Sequence, residues 1–154
     1  MSKSNKFLAG INTICQRIPH AGAMCLIERV SDWDQDSITC RSRTHVDSNN
    51  PLRNKYKLPM SALIEYGAQA MAIHGSLVNE QQSGSQGGYL AGLKDVYLVD
   101  GDLSDIPDEL VIIASKIYSD GKNMIYEFSV TVGVTTLASG RATVFGNIVN
   151  GEQS

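Results

Sequence analysis

Apolar positions along the chain follow two rhythms, a short strand-like one and a long helical one. Residues 24–33 form an apolar run, Met24-Cys25-Leu26-Ile27 with Val30 and Trp33, entered after a turn at 19–22. Residues 37–45 alternate in part, Ile38 and Cys40 against Thr39 and Arg41. Asp34-Gln35-Asp36 supplies a turn between them, so the two runs predict a hairpin. Residues 47–57 are polar, contain Pro51, and read as a loop. Pro59 suits the first turn of a helix, and residues 60–79 hold no breaker except Gly67 and Gly75. Ala, Leu, Met, Ile, Glu and Gln dominate this stretch, all compatible with helix. Nearly every face of it is apolar or small, which predicts a helix buried on most sides. Four strand candidates follow, 89–99, 109–118, 124–132 and 135–148, with turns at Asp120-Gly121 and Gly133. Two strands, one long buried helix and four strands predict an α+β architecture. In it an antiparallel β-sheet wraps around one central helix, and residues 1–154 form one domain.

Composition narrows the function. The chain has 154 residues, 42% of them hydrophobic, and a net charge of -3. A core of ordinary size is within reach, and global disorder is not expected. The negative balance argues against nucleic-acid binding, which needs clustered positive charge. Three cysteines, Cys15, Cys25 and Cys40, show no Cys-x-x-Cys spacing. We expect reduced thiols in a cytoplasmic protein rather than a disulfide framework. The polar start, 1–8, is not expected to be a secretory signal. The segment 58–78 carries Glu65, Gln69 and His74, a poor load for a membrane span. The loop 83–88, Ser-Gly-Ser-Gln-Gly-Gly, has neither phosphate-loop nor dinucleotide spacing. No histidine or cysteine pair has metal-ligand spacing, so neither cofactor nor metal is expected.

Three segments carry a family resemblance. Ile18-Pro19-His20 followed by Met24-Cys25-Leu26-Ile27-Glu28-Arg29-Val30 resembles the opening of 3-hydroxyacyl-acyl-carrier-protein dehydratases, with their Leu-Pro-His and Asp-Arg-Val tags. Pro59-Met60-Ser61-Ala62-Leu63-Ile64-Glu65-Tyr66-Gly67-Ala68-Gln69 resembles that family's Pro-Gly-Val-Leu-x-x-Glu-Ala-x-Ala-Gln. Ser139-Gly140-Arg141-Ala142-Thr143-Val144 resembles the last strand of many hotdog proteins. The segments 19–25, 50–53 (Asn-Pro-Leu-Arg) and 65–75 are most similar to the small dehydratase-like proteins of aryl polyene gene clusters.

The resemblance implies a hotdog fold and a dehydratase that removes water from a 3-hydroxyacyl thioester to leave the trans-2-enoyl thioester. The substrate would ride on the phosphopantetheine of an acyl carrier protein, with no further cofactor. Such chemistry needs a base for the proton on carbon 2, an acid for the departing hydroxyl, and donors for the enolate oxygen. Glu65, early on the helix, would be the acid/base carboxylate, because burial favours the protonated, donating form of a carboxyl group. The alternative is a structural carboxylate. Gln69, one turn on, shares its face and would orient it or bond to backbone. Pro59, Met60 and Ser61 would line the substrate, with amides near the helix start as oxyanion donors.

One departure from the family stands out. The catalytic histidine of its Gly-His-Phe-Pro segment is missing: residues 52–58, between Pro51 and Pro59, hold no histidine. His45 and His20 are the candidate bases, His45 ranked first. His74, nine residues from Glu65, falls on the opposite side of the helix and reads as structural or as an interface residue. Arg53, Lys55 and Lys57 form a basic cluster that either steers an acidic carrier protein or is merely a solvated loop. In hotdog families the site usually lies between two protomers, so a homodimer or higher homo-oligomer is expected. Two other functions fit the resemblance: a half-catalytic or non-catalytic subunit that completes a heteromer with another hotdog protein, or an acyl thioesterase.

Overall fold

A computed structural model describes residues 25–81 and 88–146. The chain runs β1 (Arg29–Trp33), β2 (Ser37–Ser42), α1 (Ala62–Gln81), β3 (Gly88–Leu98), β4 (Leu110–Ser119), β5 (Asn123–Val132) and β6 (Thr135–Gly146). Single 3-10 turns lie at Thr44–Val46 and Leu103–Asp105. All strand pairings are antiparallel, in the order β1-β2-β4-β5-β6-β3. The helix packs on one face of this six-stranded sheet, as the sequence pattern predicts.

Alternation decides which face is covered. In β2 the buried residues are Ile38, Cys40 and Ser42, and the ladder sets them opposite Ala114, Ile112 and Leu110 of β4. The row continues through Phe128 and Val130 of β5 to Gly140 and Ala138 of β6. Each of these positions follows the two-residue period of the pleat. Phe128 fills the gap between sheet and helix: a Cβ on Gly67 would lie 2.6 Å from its ring, and one on Gly140 2.9 Å from it. Both glycines are there because the ring leaves no room for a side chain.

Two elements are shorter than their apolar runs. Strand β1 starts at Arg29, although Leu26 and Ile27 are fully buried. The Leu26 peptide bonds to side chains instead of to a neighbouring strand: its N–H donates to Gln69 and its carbonyl accepts from Ser42 and Thr44. Helix α1 begins at Ala62 rather than Met60. The amides of Ala62, Leu63 and Ile64 bond to the carbonyls of Pro59, Met60 and Ser61, three residues back, in a tight first turn.

The cysteine expectation holds only in part. Cys40 is a free thiol, and burial pushes its pKa up to about 12. Cys25 is disulfide-bonded, against the expectation of reduced thiols. Cys15, His20 and most of the 83–88 loop lie outside the described residues. Among the described residues no helix is long and apolar enough to cross a membrane, and no group of metal-ligating side chains occurs.

Candidate active site

Glu65 sits in the first turn of α1. The residues of α1 that remain half-buried are Ile64, Glu65, Ala68, Ala72, Gly75 and Ser76, a stripe that the chain's own sheet leaves uncovered. Glu65 therefore faces away from the sheet, half-buried rather than enclosed. Gln69, one turn on and fully buried, donates from Nε2 to Glu65 Oε2 at 2.9 Å. Its Oε1 accepts the Leu26 N–H at 2.8 Å. That bond fixes which end of the amide is oxygen, so the NH2 end must face the carboxylate. Glu65 Oε1 has no hydrogen-bond partner among the described residues.

The entry to the helix is anchored by the connection between β3 and β4. The Asp102 carboxylate accepts from the Leu58 N–H at 3.0 Å and from the Ser104 amide and hydroxyl at 3.0 and 2.6 Å. The Ser104 hydroxyl, with the two amides, holds the Asp102 pKa below its usual range. Pro59 bridges Asp102 in an isolated pairing. Met60, which replaces the family glycine, buries its side chain near Gly101. Of the amides expected to serve as oxyanion donors, that of Ala62 is spent on Pro59 and that of Met60 is turned to Gly101 by the Pro59–Asp102 pairing, which leaves that of Ser61. Sequence reading missed Asp102, although Asp-Leu-Ser at 102–104 has the pattern of a side-chain cap on a tight turn.

Neither described histidine meets Glu65. His45 lies in the 3-10 turn after β2, fully buried, with Nε2 2.8 Å from the Ile106 carbonyl. A carbonyl only accepts, so Nε2 carries the proton, and Nδ1 is left without a partner at hydrogen-bonding geometry. Burial lowers the His45 pKa, partly offset by the Ile106 and Asp108 backbone. His74 projects to the opposite side of α1, as its spacing predicts. Its Nδ1 is 2.7 Å from the Tyr126 hydroxyl and its Nε2 2.8 Å from the Asp34 carbonyl. It is a buried cross-link between helix, β5 and the β1–β2 turn.

The basic residues sit on the loop before the helix. Asn54 closes that loop, its Oδ1 accepting the amides of Tyr56 and Lys57. Lys55 and Lys57 are exposed, Arg53 is half-buried, and the Lys55 ammonium lies 5.4 Å from the centre of the exposed Tyr56 ring. A cavity of about 390 Å³ lies elsewhere, lined by Ser115, Glu127, Ser129, Ser139 and Arg141, and none of the predicted site residues lines it.

A family model described as ApeP-like, ApeP dehydratase, matches residues 12–151. The chain belongs to the ApeP-like dehydratase family. The dehydratase heterocomplex ApeI:P from Xenorhabdus doucetiae is similar in structure, with a TM-score of 0.73 at 21% identity over 88% of this chain and 91% of that one. Thioesterase PA1618 from Pseudomonas aeruginosa, solved as a mutant, gives 0.64 at 11% identity over 95% and 100%. The PaaI protein of the E. coli phenylacetic acid degradation operon gives 0.61 at 12% over 86% and 91%. These likenesses establish the hotdog fold. Comparison with curated proteins returned no match.

Proposed function

We propose that this ApeP-like protein is a 3-hydroxyacyl-carrier-protein dehydratase whose site is completed by a second hotdog subunit. The observation that carries the reading is the state of Glu65: held through Oε2 by Gln69, with Oε1 unengaged among the described residues, on the face of α1 that its own sheet does not cover. A carboxyl group so placed can protonate the C3 hydroxyl as the C3–O bond breaks. A base removes the C2 proton, its electron pair forms the C2–C3 double bond, and water leaves. The Ser61 amide would take the charge that develops on the thioester oxygen.

The base is one reason for a second subunit. Among the described residues His45 and His74 are both buried and bonded to groups other than Glu65, and His20 lies outside them. Strand β3 offers the joint. It is an edge strand of 11 residues with Leu93 40%, Val96 40% and Tyr97 51% exposed. The other edge, β1, is a five-residue strand with Ser31 and Asp32 exposed. A long apolar edge is a surface that proteins cover. The heteromeric architecture of ApeI:P supports a partner of the same fold. The loop bearing Arg53, Lys55 and Lys57 precedes the helix that carries Glu65, which suits docking of an acidic carrier protein.

The test offers the protein 3-hydroxyacyl-carrier protein, alone and mixed with an ApeI-type hotdog subunit. Enoyl product that needs the mixture supports the reading. Enoyl product from this chain alone places the base within the chain or its own homo-oligomer and overturns the need for a different partner. Free thiol release without enoyl product makes the protein a thioesterase and overturns the reading.

A further inference from the structure

The carboxylate is tied to the loop before the helix by two runs of hydrogen bonds that meet at the Leu26 backbone, and all of their donors point the same way. Asn50 Nδ2 donates to the Tyr66 hydroxyl at 3.1 Å. The Tyr66 and Thr44 hydroxyls are 2.7 Å apart. Thr44 Oγ1 donates to the Leu26 carbonyl at 2.8 Å, which requires the Tyr66 proton to point at Thr44. The N–H of the same residue, on the preceding peptide group, donates to Gln69 Oε1, and Gln69 Nε2 donates to Glu65 Oε2. Ser42 braces the line: its hydroxyl donates to the Leu26 carbonyl at 2.6 Å and accepts the Thr44 amide at 3.1 Å. Tyr66, Asn50, Ser42 and Gln69 are all buried.

Resting on the dehydratase reading, we propose that Thr44, Tyr66 and Asn50 are positioning residues for Glu65, acting through the Leu26 peptide and the Gln69 amide. The polarity of the line is what matters. Up to the Leu26 carbonyl each acceptor has its lone pair fixed by the donor before it, and those hydrogen bonds strengthen one another; across Leu26 the coupling is mechanical, through the position of its backbone. The last donor holds one carboxylate oxygen still, so the other is presented in one orientation. It also explains why residues 25–27 stay out of the ladder: the Leu26 backbone bonds to side chains of the helix, the 3-10 turn and the end of β2 instead of to a neighbouring strand's backbone. Asn50 brings the Asn-Pro-Leu-Arg segment into the same line, since its Oδ1 also accepts the Leu52 amide at 2.8 Å.

Thr44→Val keeps the shape and removes the hydroxyl. The first readout needs no substrate: exchange of the Gln69 side-chain amide protons, followed by NMR and assigned with Gln69→Ala. We expect Thr44→Val to speed that exchange about tenfold or more, because the Leu26 backbone that holds the Gln69 amide loses one of its two hydroxyl anchors. Thr44→Ser keeps it slow, and Tyr66→Phe gives an intermediate rate. The second readout is turnover by the assembled dehydratase. There Thr44→Val lowers kcat about tenfold with KM unchanged, as expected when a reacting group is misplaced, and Thr44→Ser restores it. A lowered melting temperature with unchanged Gln69 exchange would make Thr44 merely structural and overturn the proposal. If Thr44→Val does not fold, Tyr66→Phe decides on the same two readouts. Should the wild type show no dehydration with any partner, the function above falls, and the amide exchange alone decides the positioning line.

Discussion

Gln69 can turn only one end of its amide toward Glu65 because the Leu26 N–H claims the other. The four-residue spacing puts the two side chains on one face in the sequence. The backbone amide that settles their orientation comes from 43 residues away, and no local pattern encodes it. The histidines divide in the same way. The nine-residue offset of His74 from Glu65 was legible, whereas its bonds to Tyr126 and Asp34 were not. Burial lowers the pKa of His74 from its ordinary 6.5, with the Asp34 carbonyl working against the shift, and burial lowers that of His45 as well. A histidine with a lowered folded pKa binds fewer protons in the folded state than in the unfolded one just below pH 6.5. Its stabilising effect is therefore full above that value and is lost as pH falls toward the folded pKa. We expect the urea midpoint to drop between pH 7.5 and pH 5, and the drop to shrink in His74→Gln. A drop of the same size in the variant would show that His74 does not cause it.

At the scale of elements, the order of strands and the position of the helix could be read from the apolar rhythm. The boundaries could not, because side chains intervene: Gln69, Ser42 and Thr44 draw the Leu26 peptide out of the ladder, and the first turn of α1 tightens before the helix proper begins. The two helix glycines look alike in sequence and differ in the fold. Gly67 lies against the Phe128 ring, which Gly140 confines from the other side, while a Cβ on Gly75 would meet nothing within 4 Å. Gly67→Ala should cost about 1–3 kcal/mol by overpacking. Gly75→Ala should gain about 0.5–1 kcal/mol from helix propensity. Chemical denaturation of the pair checks both signs, and a gain for Gly67→Ala would mean that helix and sheet are not held this close.

The whole molecule presents a half-buried carboxylate on the helix face turned away from its sheet and a long apolar strand at one edge of that sheet. The fold was legible because a single buried helix among antiparallel strands leaves few arrangements. The site was legible only as far as Glu65, Gln69 and the helix entry, since its remaining chemistry lies outside the described residues or on another subunit. If β3 is the joint, Leu93→Lys will shift the wild-type oligomer toward monomer in sedimentation while leaving the circular dichroism unchanged, and an unaltered oligomer would move the interface elsewhere. The most direct measurement of the central claim is the rate of enoyl formation by Glu65→Gln, assembled with whichever subunit the wild type needs. The variant keeps the size of the side chain and loses its acid/base function. The account predicts a fall of about a hundredfold or more with the assembly intact, and a rate equal to that of the wild type would contradict it.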